Sequence, residues 1–199
     1  MLLFGAGGHA KVLLSCLHYA RVEVFGIFDD RQVDKSLHNV PCILNYDFGA
    51  FPDEPLLIAI GDNVTRRKIS SRILHRFGKL YHPSAIIDES VNIMGGTVIL
   101  HRCVIQADTI IGYHVIINTG TVIEHDCVIG DFVHVAPGVV VCGSVNIGEM
   151  TLIGAGSVLA PNLTIGKNCL IAAGSVITTN IPDGAVVRGN PGRVIRQNR

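Results

Sequence analysis

The chain has 199 residues, enough for one domain or two small ones, and its 16 basic and 16 acidic side chains leave no formal net charge. That balance predicts no general attraction to nucleic acid or to an anionic membrane. Hydrophobic residues make up 48% of the chain, yet charges interrupt every run before the ~18 apolar residues that a membrane span needs.

The opening MLLFGAGGHAK has no basic stretch ahead of a long apolar core, so it reads as the start of a strand and not as a signal peptide. LLF runs into GAGGHAK, and VLLSCLHYA reads as a helix. The turn fits G-x-G-x-x-A, with Gly5, Gly7 and Ala10 in the key places. Glycines there permit a tight turn and close approach of a phosphate, and the following helix N-terminus favours the anion. VEVFGIFDD reads as a strand ending in Asp29 and Asp30, about 20 residues on, where an acid can take a ribose hydroxyl or a base edge. LLIAIGDN is a further strand, and VTRRKISSRILHRFG an amphipathic helix with Arg66 and Arg67 on a solvated face. This alternation predicts a small parallel sheet covered by helices over residues 1–81. The segment is too short for the two halves a dinucleotide requires, so a Rossmann-like half holding one nucleotide is expected.

From His82 to residue 199 the period changes. Positions 87, 93, 99 and every sixth position to 177 are all Ile, Val or Leu, sixteen in succession. Two positions before each stands a mostly small residue, with Leu163 the large exception. A hexad repeat of this kind is the signature of a parallel β-helix. Three hexads close a coil, so residues three hexads apart stack, and each coil adds ~4.8 Å to a prism about 26 Å tall. Six cysteines show no CxxC pairing, which argues against a zinc ribbon and for free thiols in a reducing cytoplasm. Cys103, Cys127 and Cys169 fall on the small-residue row and read as packing.

Within this repeat TVIEHDCVIGDFVH places His125 between Glu124 and Asp126, with His134 one and a half hexads on. Histidine titrates close to operating pH and suits a general base, and a neighbouring carboxylate stabilises its protonated form. Either acid is a possible partner, and Asp126 reaches the ring only if the chain turns there. Gly143 lies one full coil beyond His125, and Ala155 and Ala173 form a second pair at that spacing. His101 and His114 read as surface residues.

GAGGHAK, IFDD, IAIGDN, EHDCVIGDFVH and the closing IPDGAVVRGNPGRVI together resemble the PglD/NeuD group of hexapeptide-repeat acyltransferases. The resemblance covers nearly the whole chain. It implies a left-handed β-helix over residues 82–199, with a C-terminal tail. It implies a homotrimer with sites between subunits, and acetyl transfer from acetyl-CoA to the amine of a UDP-linked 4-amino-4,6-dideoxy sugar. By the same resemblance His125 is the base and Asp126 its partner. The nucleotide sugar is then held by Gly7, Gly8, His9, Asp29, Asp30 and Asp62, and acetyl-CoA by His134, Gly143, Ala155 and Ala173, with no metal. O-acetylation of sialic acid and a GDP- or dTDP-linked amino sugar are the alternatives. A γ-type carbonic anhydrase needs H-x₄-H, whereas the histidine spacings here are 13, 11 and 9. A β-helix scaffold that binds without turnover would have no use for a titratable residue at position 125.

Overall fold

The computed structural model describes residues 1–31 and 35–197; the last two residues of the expected second domain lie outside that description. Strand β1 (Leu2–Phe4) leads into helix α1 (Gly8–Tyr19), followed by β2 (Gly26–Asp29), a hairpin of β3 (Ser36–Leu37) and β4 (Val40–Leu44), β5 (Leu56–Ile58) and α2 (Asn63–Ser70). The sheet runs β3-β4-β2-β1-β5, all parallel except β3. Strands β1 and β5 are continuous apolar runs buried along their whole length, as a covered parallel sheet requires. The hairpin, whose strands are only partly buried, has no counterpart in the sequence reading.

Helix α2 ends at Ser70, well short of the amphipathic stretch expected to run to Gly78. Ser70 and Ser71 turn their hydroxyls back onto the carbonyls of Arg67 and Lys68, 2.8 and 2.9 Å away. Such bonds compete with helix propagation. Beyond them Phe77 bridges to Leu56 and extends the sheet edge.

The prism begins at β6 (Leu80–Tyr81), which already pairs with Val98–Ile99. One face stacks Leu80–Tyr81, Val98–Ile99, Ile116–Ile117, His134–Val135, Leu152–Ile153 and Leu170–Ile171. A second stacks Ile86–Ile87, Val104–Ile105, Val122–Ile123, Val140–Val141, Val158–Leu159 and Val176–Ile177. The third carries Asn92–Ile93, Ile110–Ile111, Val128–Ile129, Asn146–Ile147 and Thr164–Ile165. Every rung pairs in parallel with the strand one coil away, as Val104 does with Val122 and Ile116 with His134. Side chains alternate along a strand, so the aliphatic row points inward and forms one continuous buried core. The tail folds back as an antiparallel pair, Ala185–Arg188 with Arg193–Gln197, at the end of the first face.

The corners explain how each hexad turns. The second corner residue takes left-handed backbone at Arg102, Asp108, His114, Asp126, Phe132, Ser144, Met150, Asn162 and Asn168, and at Gly96, Gly120, Gly138, Gly156 and Gly174. The thiols of Cys103, Cys127 and Cys169 are buried beside the core and reach the carbonyls of Asn118, Cys142 and Pro182 at 3.1, 3.3 and 3.1 Å. Burial raises all three thiols above their ordinary pKa, which suits packing and disfavours thiolate chemistry.

The front domain lies on the first face. Leu80, Val98, Leu100 and Ile116 share a buried cluster with Leu13 and Leu17 of α1.

Candidate active site

His125 and Asp126 form the corner between the second and third faces. Asp126 has φ +58°, which brings its carboxylate round to the imidazole. Its Oδ2 lies 2.7 Å from His125 Nδ1, and the two side chains are 60% and 58% exposed. Glu124, the alternative partner, lies at the strand end, where its backbone amide donates to Val141 and its carbonyl accepts the Thr109 hydroxyl. A carboxylate on Nδ1 fixes the proton there and leaves the Nε2 lone pair free. One coil on, a Cβ at Gly143 would lie 2.8 Å from both Nε2 and Cε1. The missing side chain therefore lets the imidazole lie against the Gly143 backbone.

Ala155 and Ala173 stack at a different corner, between the first and second faces, where both are exposed. Gly156 and Gly174 beside them, with Gly120 and Gly138 above, have open space where a Cβ would stand. That corner is a smooth track.

At the C-terminal ends of β1, β2 and β5 a cleft of about 410 Å³ is lined by Phe4, Asp29, Asp30, Arg31, Ile60, Thr65 and Ile69. This is the crevice in which open α/β sheets bind ligands. Gly5 turns out of β1 at φ +105°, where a Cβ would meet Ile60 at 2.9 Å. Gly7 caps α1 with extended backbone, and Gly8 opens the helix with nothing near its missing Cβ.

The two acids after β2 divide their tasks. Asp29 is buried, and its oxygens accept the Ala6 amide at 2.8 Å, the Arg31 amide at 2.9 Å and the Arg31 guanidinium at 3.1 Å. Burial alone would raise its pKa, but the bonds from Arg31 and Ala6 hold it below the usual carboxylate range. Asp29 therefore clips the glycine turn to β2, while Asp30 sits on the cleft paired with Arg72. Arg72 in turn stands 5.0 Å over the Phe4 ring. Asp62 caps α2, accepting the Thr65 amide at 2.8 Å, and that bond keeps its pKa low.

His9 and His134 meet at the seam between domains. Burial drives each imidazole down to about 4; nearby His134 and Arg66 add to this at His9, and Arg66 at His134. His134 Nδ1 lies 3.2 Å from the Gly61 carbonyl, and its Nε2 3.1 Å from the Asn118 amide nitrogen. Both ring nitrogens are thus committed, which leaves no lone pair for proton transfer.

Two expectations fail here. Arg66 is not solvated: it is 1% exposed and makes five hydrogen bonds. His114 is not on the surface either, being buried between Phe132, stacked at 5.0 Å, and the edge of Phe77 at 4.2 Å. The seam is formed by residues distant in sequence, so local polarity misleads. The available signal was the i, i+3 spacing of Asn63 and Arg66, which puts both on the buried side of α2. Among the described residues no three His, Cys, Asp or Glu side chains converge as a metal site, and no helix is long and apolar enough to cross a membrane.

A nucleotide-type crevice joined to a hexapeptide prism with a carboxylate–histidine corner defines an acyltransferase architecture. Comparison with known proteins agrees. Residues 1–73 match the PglD N-terminal domain, and residues 144–179 the bacterial transferase hexapeptide. A mutant of perosamine N-acetyltransferase from Caulobacter crescentus, solved with CoA and GDP-perosamine, is 31% identical, with 98% of this chain and 96% of that one covered at TM-score 0.90. The acetyltransferase domain of PglB from Neisseria gonorrhoeae, solved with acetyl coenzyme A, is 32% identical over 98% of both chains at TM-score 0.91. WeeI from Acinetobacter baumannii is 27% identical over 98% of both, at TM-score 0.85. An uncharacterised protein of Acanthamoeba polyphaga mimivirus is 34% identical over 72 residues, and the match spans only 15% of that protein's length. The chain belongs to the PglD-type sugar N-acetyltransferases of the hexapeptide-repeat family, enzymes that use acetyl-CoA.

Proposed function

We propose that the chain acetylates the amine of a UDP-linked 4-amino-4,6-dideoxy sugar, with His125 as general base and Asp126 as the group that orients it. The observation that carries this reading is the Asp126 carboxylate on His125 Nδ1, which leaves the Nε2 lone pair to act on an imidazole packed against Gly143. Nε2 takes a proton from the substrate ammonium, and the freed amine attacks the thioester carbonyl. An amide at Gly143 would be placed to steady the developing oxyanion. Collapse of the tetrahedral intermediate expels the CoA thiolate, which recovers the proton from His125, and the nitrogen releases its remaining extra proton to solvent as the amide forms. The product is an amide and free CoA-SH.

The diphosphate occupies the turn at Gly7 and Gly8, and Asp30 faces the nucleoside cleft. The pantetheine arm lies on the Ala155–Ala173 corner. Within one chain these parts are separated, because the front domain covers the first face and His125 stands at the corner opposite it. A neighbouring copy brings them together. The outward row of the second face supports such assembly: Ile86, Val104, Val122, Val140, Val158 and Val176 form an unbroken aliphatic strip beside His125. Three copies around that strip make a trimer with three shared sites. Thiols kept as buried packing at Cys103, Cys127 and Cys169 suit a reducing cytoplasm.

A GDP-linked sugar is the second reading, favoured by the GDP-perosamine held in the similar Caulobacter enzyme. The decisive experiment incubates the chain with acetyl-CoA and a panel of UDP-, GDP- and dTDP-linked 4-amino sugars and follows thiol release. Turnover fastest with a UDP sugar is expected. Turnover confined to GDP sugars would transfer the assignment, and none with any of them would end it.

A further inference from the structure

We infer that Arg66 is a positioning residue for the acetyl transfer, holding the nucleotide crevice at a fixed height over the prism. This rests on the function proposed above. An arginine buried with no carboxylate bonded to it is costly, and it persists only if each of its five N–H donors finds an acceptor. Here all five do. Nε donates to the His114 carbonyl at 2.9 Å and Nη2 to the Phe132 carbonyl at 2.9 Å and to Asn63 Oδ1 at 2.7 Å. Nη1 donates to the carbonyls of Ile60 and Gly61 at 3.1 and 3.0 Å.

The pattern of acceptors gives the residue its task. His114 and Phe132 are left-handed corner residues of successive coils, and Asn63 Nδ2 reaches the next such corner, Met150, at 3.0 Å. Helix α2 is thus seated on a ladder of corner carbonyls, which sets its register along the prism. Ile60 and Gly61 belong to the loop after β5 that borders the nucleotide cleft. The same guanidinium therefore grips both the prism and the rim of the crevice. The Gly61 carbonyl is shared with His134 Nδ1, so Arg66 also fixes the carbonyl that dictates the tautomer of His134. An amine bound to the front domain must meet a thioester lying on the prism, and a displacement of ~1 Å there costs up to about 100-fold in rate.

The test uses the full chain with Arg66→Lys, which keeps the charge but has too few donors, and Asn63→Ala, which removes the adjoining clamp. Each variant is first shown to be folded by thermal melting. In both, kcat is expected to fall, by roughly 10–100-fold for Arg66→Lys, while calorimetric affinities for UDP and for CoA stay within about twofold. The ¹⁵N signal of the His134 Nδ1–H is expected in wild type and to broaden or move to Nε2 in Arg66→Lys. Unchanged kcat in an active enzyme overturns the inference, as does a loss of activity explained wholly by lost UDP affinity. If the wild type transfers acetyl to no nucleotide sugar, the proposed function falls, and an unchanged His134 signal in Arg66→Lys then decides against Arg66 separately.

Discussion

A carboxylate on one ring nitrogen leaves the other to act and makes His125 a base with a direction. Its replacement by alanine is expected to lower kcat by roughly 10²–10⁴-fold with both substrates still bound. Asp126→Asn costs less, because it loosens the orientation of the ring without deleting the base, and Glu124→Gln leaves kcat near the wild-type value. Steady-state rates check all three, and near-full activity in His125→Ala would remove base catalysis from this residue. The pairing itself was half legible. The triplet Glu124-His125-Asp126 announced a base with a carboxylate beside it, but choosing the acid required the φ of +58° at Asp126. The acid pair Asp29-Asp30 was ambiguous in the same way. Only burial and partners reveal that the first braces a turn while the second faces the cleft.

Among the elements, the turn between β1 and α1 admits a clean test. A Cβ at Gly8 would have no atom within 4 Å, and the residue is the first of helix α1. Gly8→Val is therefore expected to leave folding intact and to block the diphosphate. It should raise KM for the nucleotide sugar by tenfold or more while acetyl-CoA binding is unchanged, and calorimetry with UDP checks it. Unaltered UDP affinity would remove the nucleotide from this turn. The hexads were the most legible feature of the chain because each inward Ile, Val or Leu occupies the same environment as its neighbour one coil away. Helix α2 was the least legible element. Its end depends on two serine hydroxyls turning back onto the helix's own carbonyls, and its buried face carries Asn63 and Arg66, whose acceptors include carbonyls of a remote segment.

At the scale of the whole molecule, light scattering should report a particle of three times the 21.3 kDa of one chain. Val140→Glu, in the middle of the aliphatic strip, is expected to yield monomers that retain UDP binding and lose transfer. A stable wild-type monomer would remove the shared-site arrangement. The seam between domains carries its own pH signature. Burial, reinforced by Arg66 and at His9 also by His134, keeps His9, His114 and His134 near about 4, below the ~6.5 of an unfolded chain. The unfolded state therefore binds protons that the folded state refuses. Stability is complete above pH ~6.5 and is lost progressively as pH falls toward about 4. Melting temperatures from neutral pH down to about 5 should drop accordingly, and a flat profile would contradict the burial of these rings.

The exact stacking of coil on coil makes the prism a ruler graduated in whole turns. Removing or adding three hexads shifts everything beyond by one step of ~4.8 Å and returns each side chain to its own corner. Removing a single hexad instead rotates all later positions by one face, and would carry Ala155 and Ala173 off the corner they now share with Gly138. The reach between base and thioester carrier can therefore change only in steps of a full coil, never by a fraction of one.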